Sequence, residues 1–133
     1  MQSQTTGKSK LDKTYIFRLP IYGYKVEITV SRDIVKSIRK ARINASDEAL
    51  AGTDAVHFPV TNESISLLFL PLNADINTIA HESTHITQRI IEWIGAGYKD
   101  KEFVAYLMAH VFQGIYEFHQ KAKNFLEKDL TKE

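Results

Sequence analysis

Residues 81–85 read His-Glu-Ser-Thr-His, the pattern H-E-x-x-H, inside an apolar-periodic run. On a helix His81 and His85 lie one turn apart on the same face, about 40° from each other around the axis. Two imidazoles so placed can share one Zn²⁺, and Glu82 beside them can act as general base on the metal-bound water. The ordinary alternative is a solvated helix face that carries two histidines. A catalytic zinc site needs three protein ligands and one open position. The chain has no Cys, so any metal here must use histidine and carboxylate.

The third ligand expected from the sequence is Glu102. It follows the motif after a short link, in the first turn of the next helix, on a face of small residues with Ala105 and Ala109. Its ordinary reading is a first-turn acid that complements the helix dipole. Tyr106, one turn on, could orient a ligand or stabilise an oxyanion, or be a core tyrosine. His57 and His110 could reach the site; satisfied structural histidines are the better expectation for both.

These side chains need a helix to hold them. Asn73–Asp75 opens one that runs to Ile94, with Gly95 as its stop. With His81 and His85 as the front, Asn77, Thr78, Gln88, Arg89 and Glu92 share it. Ile76, Ile79, Ile86, Ile90 and Ile94 fall at the back, which should bury. Asp100 is a good N-cap for a final helix through about Phe125 or beyond. Phe103, Val104, Leu107, Met108, Val111, Phe112, Ile115 and Phe118 form its apolar face, while Glu102, Ala105, Tyr106, Ala109 and Gln113 share another. The short link makes the two helices antiparallel neighbours and should bring Glu102 toward the motif. Lys121–Glu133 is mostly charged and should fray.

Upstream, Lys13–Leu19 reads as a strand. Gly23–Val30 alternates, with Tyr24, Val26, Ile28 and Val30 on one face, and pairs with it as a hairpin. Ser31 caps a helix whose stripe is Ile34, Val35, Ile38 and Ala41, with Asp33 in its first turn and a basic, solvated outer face. Asn44–Asp54 is a loop or short helix. Ala55–Val60 is a strand that Pro59 marks as an edge. Thr61–Glu63 is a turn. Ser64–Leu70, the most β-like run, is either a core strand or a sheet edge that could hold an extended peptide. The expected architecture is α+β: a small, mostly antiparallel sheet packed on the motif helix and a long C-terminal helix, in one domain over residues 11–133. Residues 1–10 read as a disordered polar tail.

The 133 residues carry a net charge of +1 with 44% hydrophobic and 25% charged positions. Bulk electrostatics thus argues for neither nucleic acid nor a membrane surface as partner. No apolar run is long enough for a membrane span, and the N-terminus lacks the apolar core of a secretory signal. The cytoplasm, that of a host cell for a phage protein, is the expected compartment. Glu82-x-x-His85 also fits a carboxylate-bridged di-iron motif, but such bundles need a second Glu-x-x-His and this chain has none.

Ile79-Ala-His-Glu-Ser-Thr-His85 followed by Glu102-Phe-Val-Ala-Tyr-Leu107 resembles the gluzincin arrangement. More narrowly, it resembles short phage- and prophage-encoded zincin-like proteins with H-E-x-x-H followed by E-x-x-A-Y. It is more loosely similar to the ImmA/IrrE metallopeptidases that cleave repressors. The resemblance covers roughly residues 64–118. It implies a minimal zincin fold, Zn²⁺ and peptide-bond hydrolysis, with His81, His85 and Glu102 as ligands and Glu82 as base. The partners expected are a protein or peptide substrate and a further protein that positions it. The competing class is a non-catalytic zincin-like binding or virion-associated module.

Overall fold

The computed structural model describes residues 10–20, 23–46, 50, 55–97 and 99–131. Four strands form one sheet: β1 (Asp12–Arg18), β2 (Lys25–Ser31), β3 (Val56–Pro59) and β4 (Ile65–Pro71). Their order is β1-β2-β4-β3. The outer pairs β1/β2 and β3/β4 are antiparallel, and the central pair β2/β4 is parallel. A parallel pair needs a crossover, and α1 (Ile34–Lys40) lies in it. Two long helices follow, α2 (Ile76–Ile94) and α3 (Lys101–Thr131). The fold is α+β, as the chain's patterning predicts, but the sheet is mixed rather than mostly antiparallel, because its central pair β2/β4 is parallel.

The sheet has cores on both faces. Tyr24, Val26, Ile28 and Val30 of the β2 segment, with Leu68 and Leu70, meet Ile79, Ile86, Ile90 and Ile91 of α2 and Leu107, Val111, Ile115 and Leu126 of α3. The opposite face packs Phe69, Ile34, Ile38 and Leu50, with Val56 and Phe58 against them. Strand alternation therefore sends His57, between Val56 and Phe58, to the α2 side.

The expected elements form, with several shifts. Ser31 ends β2, and Asp33 is the N-cap of α1, its carboxylate accepting from the Lys36 N–H. Ser31 instead accepts from the Asp33 N–H and bonds Ser37. Ala41 lies beyond the helix and is exposed. The 44–54 segment falls mostly outside the described residues, as does most of the N-terminal tail. Ser64–Leu70 is not a sheet edge: β4 lies between β2 and β3, and the edge is β3, as Pro59 indicates.

The C-terminal segment does not fray at Lys121. α3 continues to Thr131, because Ala122 and Leu126 are fully buried and give its last turns an inward face. The Arg32 guanidinium also donates to the Leu126 carbonyl and pins that end to the sheet. Ile76, expected at the buried back of α2, is 58% exposed. It is the first residue of the helix, next to the Asp75 cap.

Candidate metal centre

α2 is defined at both ends by its own sequence. Asp75 caps it, accepting from the Thr78 N–H at 2.8 Å. Gly95 takes the left-handed conformation at φ 73°, and Gly95 and Ala96 N–H groups close on the Glu92 and Ile91 carbonyls. That is the bonding pattern of a glycine C-terminal cap. On the core side the Ser83 and Thr87 hydroxyls donate to the carbonyls one turn back, so neither is left unpaired where it is buried.

The front face holds His81 and His85, both exposed, with Nε2 atoms 3.2 Å apart and ring planes at 78°. Two nitrogens bound tetrahedrally at zinc distances stand about 3.3 Å apart. That separation fits two nitrogens sharing one metal ion, and it equally fits a hydrogen bond between the two imidazoles. Glu82 is 8% exposed beside them. Burial pushes its carboxyl above the usual range, while the two imidazoles act the other way. Such a carboxylate is a better proton acceptor than a solvated one. Ala55, Asn77, Thr78, His81 and Glu82 line a cleft of about 350 Å³.

Glu102 does not join the pair. Among the described residues no group of three His, Asp or Glu side chains converges as a metal site. Helix register is the reason. Thr84 Oγ1 and Thr87 Oγ1 contact Met108 Sδ at 3.9 and 3.4 Å, which sets Met108 level with the motif. Six residues earlier on an antiparallel neighbour, Glu102 falls roughly 10 Å along the axis from His85. At the level of His85 α3 offers Ala109, which is exposed. Glu102, Ala105, Tyr106, Ala109 and Gln113 do share one face, but it is turned to solvent. Tyr106 is 74% exposed on that same face.

His110 is exposed and packs beside Phe17 at 5.3 Å between ring centroids, on the β1 side. His119 is buried, its Nε2–H donating to the Pro71 carbonyl at 3.0 Å. His57 is different. Its Nε2 is 2.8 Å from Ser66 Oγ, which is 2.8 Å from the buried Tyr24 hydroxyl. Ser66 is the only partner of that phenol among the described residues. Ser66 Oγ thus bridges the phenol and the imidazole, as a hydroxyl that both donates and accepts can do. Burial, His85 and Arg89 together lower the His57 pKa to about 4. His57 thus belongs to the surroundings of the histidine pair, more closely than its sequence context indicates.

No protein-family model, curated protein or solved structure matches the chain.

Proposed function

We propose that this chain is a zinc-dependent peptide-bond hydrolase, phage or prophage encoded and cytoplasmic, with His81 and His85 as metal ligands and Glu82 as general base. The observation that carries the reading is the 3.2 Å approach of the two Nε2 atoms with a buried carboxylate beside them. Zinc held there would supply Lewis acidity toward a carbonyl oxygen. Glu82 would take the proton of the attacking water and hand it to the leaving amine. Glu102 would be the third ligand on the strength of its place after the motif and of the resemblance, not of the geometry. Its ligation requires α3 to move along α2.

An extended peptide has an edge to bind. The Val60 N–H bonds the Ile65 carbonyl at 3.1 Å, so Val56, Phe58 and Val60 turn their backbone groups inward to β4. His57 and Pro59 turn theirs outward. The open edge of β3 therefore offers the His57 N–H and carbonyl and the Pro59 carbonyl, next to α2. This edge takes the role that the sequence allowed for Ser64–Leu70.

The lack of a converged third ligand favours a second reading, a zincin-like binding or virion-associated module without catalysis. Glu82→Ala separates the two. In the enzyme it retains zinc and loses peptide hydrolysis by about 10²–10⁴-fold. In the binding module it leaves the biological activity unchanged.

A further inference from the structure

The far end of the β3 edge opens into a second cleft, of about 360 Å³, lined by Pro59, Thr61, Asn62, Arg89, Glu92 and Trp93. Arg89 is one helical turn past His85, with Cβ atoms about 6 Å apart. Among the described residues its guanidinium makes one hydrogen bond, from Nη2 to the Val60 carbonyl at 3.2 Å. Its Nε is buried without a partner, and no carboxylate pairs with the cation among the described residues. A guanidinium has five donors in a planar fork that matches a carboxylate. The Trp93 ring centroid lies 5.6 Å from its Cζ, within cation–π reach. Donors not yet used, an aromatic wall and an open cleft make a site for an anion of carboxylate shape.

We infer that this cleft is a specificity subsite that takes a carboxylate of the peptide lying along β3. The inference rests on the proposed use of β3 as the substrate edge. Strand spacing is about 3.3 Å per residue, which puts the carboxylate a few residues from the bond at the histidine pair. The carboxylate is an acidic side chain or the peptide's own C-terminus. Glu92, exposed in the same cleft, weakens the site by repulsion and supplies a control.

Trp93 is the only tryptophan in the chain and is 38% exposed, so its fluorescence reports this cleft alone. The full chain, with a chelator present, is titrated with three blocked peptides. Acetyl-Val-Glu-Val-amide has an acidic side chain, acetyl-Val-Gln-Val has a free C-terminus, and acetyl-Val-Gln-Val-amide has neither. At least one carboxylate peptide binds about tenfold more tightly than the neutral one, a ratio set by about 1.4 kcal/mol. Which one does so identifies the source. Arg89→Gln removes the preference, and Glu92→Gln, which leaves the Val60 bond in place, increases it. Equal binding of all three peptides, or a preference unchanged in Arg89→Gln and Glu92→Gln, overturns the inference. The readout needs neither metal nor hydrolysis, so absence of zinc or of peptidase activity would leave this result standing.

Discussion

At the residue scale the site is a pair of imidazoles set by helix geometry and a carboxylate made basic by burial. His81→Ala should abolish zinc retention, since a single imidazole on an exposed face cannot hold the ion; atomic absorption after dialysis checks it. His57 carries the clearest pH signature. Its pKa falls from 6.5 to about 4 in the fold, so the unfolded chain binds the extra proton between those values. Stability is full above about pH 6.5 and is lost as pH falls toward 4. The loss is at most about 3 kcal/mol, less the share that solvent screens. Thermal melts across this range should show the slope, and His57→Gln should flatten it. Some slope remains, because burial lowers the His119 pKa too. None of this was legible from His57 in isolation. The signal was Pro59, which marks an edge strand, combined with alternation that turns His57 opposite to Val56 and Phe58.

At the element scale the motif helix was the most legible part, since Asp75, Gly95 and the isoleucine period each state one of its boundaries or faces. The partner helix was legible in its apolar stripe but not in its register. Local sequence says which face of α3 is apolar. How far α3 slides along α2 depends on long-range contacts such as Met108 against Thr84 and Thr87. The same blindness hid the buried end of α3, where Ala122 and Leu126 are spaced among charges. Leu126→Ala should cost about 2–4 kcal/mol in urea unfolding, against nearly nothing for a frayed end. Gly114 is a second register marker. A Cβ there would meet the Phe17 ring at 2.7 Å, and that ring is held between His110 and Phe118. Gly114→Ala gains helix propensity yet should lose about 1 kcal/mol net, measured the same way.

At the scale of the whole molecule, the sheet places the two long helices on one face and α1 on the other. The edge strand β3 runs beside the motif, from the cleft at His81 and Glu82 to the cleft at Arg89 and Trp93. No helix among the described residues is long and apolar enough to cross a membrane. The α+β class followed from counting strand and helix runs. The parallel β2/β4 pair did not, because strand order is decided by which faces bury together and not by any one segment. The central claim is that His81 and His85 hold a metal ion in this fold. Zinc content of the purified protein, measured by mass spectrometry after dialysis, tests it most directly. The account predicts roughly one zinc per chain, absent from His85→Ala. A zinc-free protein, or equal zinc in the His85→Ala variant, would contradict it.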